Sequence, residues 1–288
     1  NLSYMSGHTK QIDANRLRTL EYHVLEKTVN IIDMDSEFRI LKTYSVKTKY
    51  LPIVHDFITT NRGTVLFSDT PFLPFVSGGK FPIQFCNSLP TYIHTANSTD
   101  GTIDTYSLDQ AFYIFHFAKA VENDTHIDIF APMYDHVNFS DLIIDGKYRK
   151  ISICKPTKSV VIQRNPFLEM LNLDFPVLFH DFVILRNIYQ RRINGFVICQ
   201  GIEIVDTIFF DDLNICGEPT IMYANGTAYL TAFAFRKEEN QGYLLMIRLF
   251  ENGTFDRDFI KIQLPERVQI GFHSGNLRFP EPLPFREP

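Results

Sequence analysis

The sequence predicts an all-β protein of short antiparallel strands, and three observations carry that expectation. Tight-turn dipeptides recur along the chain: Asp100-Gly101, Asp145-Gly146, Asn194-Gly195, Asn225-Gly226 and Asn252-Gly253. Such pairs suit hairpins whose two central residues both take positive φ. Apolar or alternating segments lie near each of them. Fifteen prolines and a shortage of long amphipathic periods leave little room for helices.

Taken in order, residues 14–33 are the one stretch a helix would fit. Val24, Thr28, Val29, Ile31 and Ile32 are β-branched and suit strands better. The run Phe112-Tyr-Ile-Phe-His-Phe117 reads as a buried strand that carries a histidine. Tyr148–Cys154 and Phe259–Leu264 alternate apolar with polar residues, the period of a strand with one covered face. Thr227–Phe235 and Gly242–Phe250 are longer apolar runs, as expected of inner strands covered on both faces, and Arg236–Gln241 between them reads as a hairpin loop. Four-strand units repeated radially, a β-propeller, suit this spacing, although no strict repeat is visible. No low-complexity linker divides the chain, so residues 1–288 are read as a single domain.

Composition narrows the function classes. A hydrophobic fraction of 45% supports a real core; 27 residues are Phe and none is Trp. The net charge of -5 shows no basic excess that would favour nucleic acid. No stretch approaches the roughly 20 apolar residues that span a bilayer. The start, Asn1-Leu-Ser-Tyr-Met5, has neither a signal pattern nor an initiating Met, so the chain is expected to be a fragment of something longer. Cys86, Cys154, Cys199 and Cys216 are widely spaced. They predict free thiols in a reducing compartment, hence a cytoplasmic protein. Six Asn-x-Ser/Thr sequons, at Asn1, Asn97, Asn123, Asn138, Asn225 and Asn252, stand against that reading and weigh lightly, since several coincide with turns.

Four histidines share an unusual setting. His116 stands among Phe and Ile, His55 in Leu51-Pro-Ile-Val-His-Asp-Phe57, His273 after Gly271-Phe272, and His8 after Ser6-Gly7. A neutral imidazole packed among apolar side chains needs a partner for its lone pair, and four of them suggest one shared partner, a metal ion. Their intervals of 47, 61 and 157 residues match no local metal motif, so the fold must bring them together. A lone strand histidine is ordinarily a hydrogen-bonded core or surface residue, and His23, His94, His126, His136 and His180 are read that way.

Four segments then resemble, in the right order, the motifs of the carotenoid cleavage oxygenases, the family that includes the retinal pigment epithelial membrane protein. Ser6-Gly-His8-Thr-Lys-Gln-Ile-Asp13 is similar to its "AHPKxD" segment. Val54-His55-Asp-Phe-Ile-Thr-Thr-Asn61, with Val65-Leu-Phe67 and Asp69-Thr-Pro71, is similar to "HDFAITENYVIFPDLP". Phe115-His116-Phe-Ala-Lys-Ala-Val-Glu122 resembles "FHxxNAYE", and Leu264-Pro-Glu-Arg-Val268 through Gly271-Phe-His273 resembles "LPxRVPxGFHG".

The resemblance implies a seven-bladed propeller, incomplete here for want of its N-terminal blade region. It implies Fe(II) held by His8, His55, His116 and His273 beneath an apolar tunnel. It also implies carboxylates that accept the far N–H of ligand histidines. Glu218, in Cys216-Gly-Glu-Pro219, and Asp174, in Leu173-Asp-Phe-Pro176, stand at such places. The family has Glu where Asp174 stands, and Asp is one methylene shorter, so a direct bond there is left open. A third family glutamate, upstream of the first histidine, has no counterpart. Lys119, Val121 and Ser274 also depart from the motifs. Glu122 matches a family position and equally reads as a solvated strand end.

The activity implied is that of a non-heme Fe(II) dioxygenase that cleaves a conjugated double bond of a carotenoid or apocarotenoid into carbonyl products. No side-chain acid or base is required beyond the metal site. Its partners would be dioxygen and a lipophilic polyene taken from a membrane surface or carrier. Pro71-Phe-Leu-Pro-Phe-Val76 reads either as an apolar lip for peripheral membrane contact or as ordinary core. Alternatives are a retinoid isomerohydrolase, a stilbene-cleaving relative, or a degenerate, non-catalytic propeller that binds lipid.

Overall fold

The computed structural model describes residues 3–74, 83–139, 145–236, 240–269 and 271. Among these the secondary structure is almost entirely strand, with one short helix, Pro166–Glu169, capped by the Asn165 side chain. The strands form antiparallel sheets in chain order. The first contains Ser3–Met5, Lys10–Asp13, Arg16–His23, Thr28–Asp35 and Ile40–Lys47; the second contains Ile58–Thr59, Thr64–Asp69, Thr91–Asn97 and Ile103–Leu108. A small hairpin, Phe72–Pro74 with Ile83–Phe85, interrupts the second sheet. The third contains Lys119–Glu122, His126–Met133, Lys147–Cys154 and Val160–Gln163. The fourth contains Leu173–Phe179, Phe182–Tyr189, Arg192–Gln200 and Glu203–Phe209, and the fifth Asn214–Ala224, Thr227–Arg236, Gln241–Leu249 and Ile260–Gln263.

Sequential strands pair with one another, so short turns suffice to join most of them. Asn225 and Gly226 both take positive φ, 50° and 76°, as a two-residue hairpin turn requires. Residues 14–33 are indeed strand, folded as Arg16–His23 and Thr28–Asp35 about a turn at Lys27. Two of the expected turns are something else. A Cβ on Gly146 would lie 2.4 Å from the Leu173 carbonyl oxygen, and one on Gly195, inside Arg192–Gln200, 2.1 Å from that of Ile208. These glycines admit a second backbone rather than reverse the chain.

The segment Phe112–Phe117 is not a strand either. Its one ladder contact is the isolated bridge of Tyr113 with Tyr134. Side chains satisfy its backbone instead: Thr91 Oγ1 accepts from Phe112 N at 3.0 Å, Thr70 and Thr91 hydroxyls donate to Phe112 O, and Asp56 Oδ2 accepts from Phe117 N. The long apolar runs are the central strands of the fifth sheet, as expected. The alternating Phe259–Leu264 run forms its outer strand, and Ile260 and Ile262 are 49% and 44% exposed, with no layer among the described residues covering them.

The chain forms two compact units, residues 1–178 with 201–203, and 179–200 with 204–288. In the first unit the core lies between successive sheets. Leu20, Ile31, Phe57, Val65 and Phe67 pack the first sheet against the second; Leu66, Ile93, Ile114, Ile129 and Ile151 pack the second against the third. In the second unit Ile184, Val197, Leu230 and Leu245 are fully buried. All four cysteines are free thiols, two of them buried. No described helix is long and apolar enough to cross a membrane.

Candidate metal centre

Three of the four singled-out histidines meet in the first unit. His8 precedes strand Lys10–Asp13, His55 precedes Ile58–Thr59, and His116 precedes Lys119–Glu122. Each therefore stands on irregular chain that leads into a different sheet. Their ring centroids form a nearly equilateral triangle, 5.2 Å from His8 to His55, 5.2 Å from His8 to His116 and 5.1 Å from His55 to His116. The ring planes are close to mutually perpendicular, at 83°, 85° and 88°. One nitrogen from each ring lies within 4.8 Å of the others. Stacking alone would favour no such three-way convergence of nitrogens.

Asp174 fixes one of the three rings. Its Oδ1 lies 2.9 Å from His116 Nδ1. A carboxylate can only accept, so Nδ1 carries a proton, and in the neutral ring Nε2 holds the lone pair. The Tyr134 hydroxyl donates to the other oxygen, Oδ2. Burial by itself would raise the Asp174 pKa; attraction to His116 and hydrogen bonds from His116, Tyr134 and the Phe175 amide outweigh it and hold the carboxyl below its ordinary range. Phe175 packs against His116 at a 39° tilt, with centroids 4.5 Å apart, and its φ of 55° lies in the left-handed region. That conformation costs an L residue about 1–2 kcal/mol. The direct bond left open for the shorter Asp174 is therefore formed.

His55 is held from two sides. Its carbonyl accepts from Gly7 N at 2.7 Å, and a Cβ on Gly7 would fall 2.6 Å from its Cε1. Phe115 packs edge-on against its ring, 5.7 Å between centroids, and continues into Tyr113 and Tyr134. Phe72, Phe85 and Phe139 extend this aromatic flank. Of the proposed lip, Phe72 is buried while Leu73 is 36% exposed; Phe75 and Val76 lie outside the described residues.

The other two predicted residues do not join this description. His273 lies outside the described residues. Glu218 belongs to the second unit, in the irregular part of Asn214–Ala224 between Cys216 and Thr220, just after Gly217 at φ 70°. Glu122 is no solvated strand end: it is buried, accepts from Thr60 Oγ1 at 2.6 Å and pairs with Lys155 at 2.8 Å. Sequence reasoning passed over Gly7, Tyr134 and Phe175. Gly7, beside a singled-out histidine, and Phe175, beside Asp174, carried a local hint; Tyr134 carried none.

An all-β protein of successive antiparallel sheets that carries a three-histidine cluster is the class that sheets and site define. The model of the retinal pigment epithelial membrane protein family matches residues 2–275. Among solved structures, a glutamate-to-aspartate variant of Synechocystis apocarotenoid oxygenase shares 16% identity at a TM-score of 0.76, over 93% of this chain and 64% of that one. A chimera of that oxygenase with the retinal pigment epithelial protein shares 16% at 0.77, over 94% and 64%. The cobalt-substituted Synechocystis oxygenase shares 17% at 0.75, over 93% and 64%. No curated protein sequence matches the chain. This chain belongs to the retinal pigment epithelial membrane protein family, that of the carotenoid oxygenases, and has its β-propeller fold. It spans 64% of the length of those solved chains.

Proposed function

We propose that this protein is a non-heme Fe(II) dioxygenase that cleaves a conjugated double bond of a carotenoid or apocarotenoid into two carbonyl products. The observation that carries this reading is the convergence of His8, His55 and His116, with one ring set by Asp174. The donor set suits ferrous iron, for which imidazole is a good ligand, and three neutral rings leave the ion's charge uncompensated. His8, His55 and His116 would hold the ion, with His273 as the fourth ligand and Glu218 as a further carboxylate support. Bound iron would supply the activation of dioxygen beside the double bond.

The chain's own groups orient and exclude. Asp174, gripped by Tyr134, keeps the proton of His116 on Nδ1, so that Nε2 stays a donor atom. Phe115, Tyr113 and Phe139 offer apolar surface next to His55, a setting that accepts a polyene and keeps water away. No side-chain acid or base is needed for scission. The substrate would come from a membrane surface or carrier, and the free thiols agree with a cytoplasmic setting.

The test is anaerobic reconstitution of the full-length protein with Fe(II), followed by incubation with an apocarotenal, a retinyl ester and a phenolic stilbene in air. One iron per chain, its loss in His116→Ala, and two carbonyl fragments from the apocarotenal are expected. Isomerised retinol or cleaved stilbene would reassign the reaction. A wild-type protein without iron would leave a lipid-binding propeller.

A further inference from the structure

We infer that Asp56 is the positioning residue that assembles the three-histidine centre, by tying the segments that carry His8, His55 and His116 to one buried carboxylate. This rests on the reading of those histidines as metal ligands. All three stand on chain without regular ladder bonds, so strand pairing alone does not set their mutual positions. Asp56 follows His55 directly, and its side chain is 2% exposed. Its Oδ1 lies 2.8 Å from Nζ of Lys10, two residues after His8. Its Oδ2 accepts from the amide of Phe117, one residue after His116, at 2.8 Å.

One carboxylate thus touches the chain within two residues of every histidine in the cluster. Each contact has a reason to persist. A buried carboxylate needs a compensating charge, and Lys10 supplies it while its Nζ lies over the Phe57 ring, 5.5 Å from the centroid. The Phe117 amide has no strand partner, and a charged acceptor is the stronger kind. Asn at this position could keep its one acceptor oxygen on Phe117 only by turning an amide donor toward Lys10. Ala would release both segments.

Cobalt(II) titration of the full-length protein, read by its visible d–d spectrum and by bound metal per chain, tests this. Wild type should bind one ion. Asp56→Ala should bind about 10- to 100-fold more weakly with an altered spectrum, the range seen when groups behind metal ligands are removed. Lys10→Met, at a side chain one-third exposed, keeps the protein folded if Asp56→Ala does not, and should weaken binding about threefold or more. Asp56→Asn should then weaken binding less on the Lys10→Met background than on wild type, because the two act through one contact. Folded Asp56→Ala or Lys10→Met with wild-type affinity and spectrum overturns the inference alone. A wild-type protein that takes up no cobalt overturns the metal reading, and this inference with it.

Discussion

The shorter carboxylate at position 174 reaches His116 from a backbone held close against Gly146. Leu173 N donates to Gly146 O at 2.8 Å, Gly146 N donates to Asn172 Oδ1 at 2.9 Å, and the missing Cβ of Gly146 leaves room for both Leu173 and the Tyr134 ring. Tyr134 then holds Asp174 from the far side. Counting methylenes in the sequence could not have found this, because reach depends on where the strand lies. Gly7 offers a cleaner test of such close approach. In Gly7→Ala the new methyl would overlap the His55 ring and turn it from its place. Metal affinity should fall about tenfold or more, while stability of the metal-free protein changes by about 1 kcal/mol or less. Cobalt titration beside urea unfolding separates the two effects.

At the scale of elements, a polar latch joins the second and third sheets. Thr60 Oγ1 donates to Glu122 Oε2 at 2.6 Å, Asn61 exchanges two hydrogen bonds with the Glu122 backbone, and Lys155 pairs with Oε1. Burial raises the Glu122 pKa, and the bonds from Lys155, Thr60 and Thr64 more than reverse it, so its net shift is downward from 4.5. A carboxyl whose folded pKa is depressed adds stability that is full above its unfolded value and is lost as pH falls through the folded one. Acid unfolding should therefore draw on this latch below about pH 4.5. Glu122→Gln should lower stability at pH 7 by about 1–3 kcal/mol, and its stability should fall less steeply than wild type as the solution is acidified. Denaturant midpoints at several pH values check both expectations. Strand-forming segments were legible from alternation and β-branching, and so were the turns with Gly226 or Gly253, whose φ is positive. Gly146 and Gly195 misled because an Asx-Gly pair serves close backbone approach as well as reversal.

At the scale of the molecule, a ligand that binds the folded chain and not the unfolded one stabilises it. The histidines come from three segments 47 and 61 residues apart, so unfolding must scatter them. Saturation with cobalt(II) at about 100 times its Kd should add about 2.7 kcal/mol and raise the Tm by several degrees. His116→Ala should abolish that rise while leaving the metal-free Tm within a few degrees of wild type, and calorimetry with and without cobalt would show either result. The chain's own pattern settled the strand-rich class, some of the tight turns and three of the histidines worth watching, because alternation, turn chemistry and an imidazole among apolar neighbours are local properties. Three rings meeting at right angles, Asp174 bonded to His116, and Asp56 gathering three segments were settled by folding. Those contacts join residues 46 to 108 positions apart, except for the peptide bond from His55 to Asp56, and no local pattern specifies how closely two distant backbones will approach.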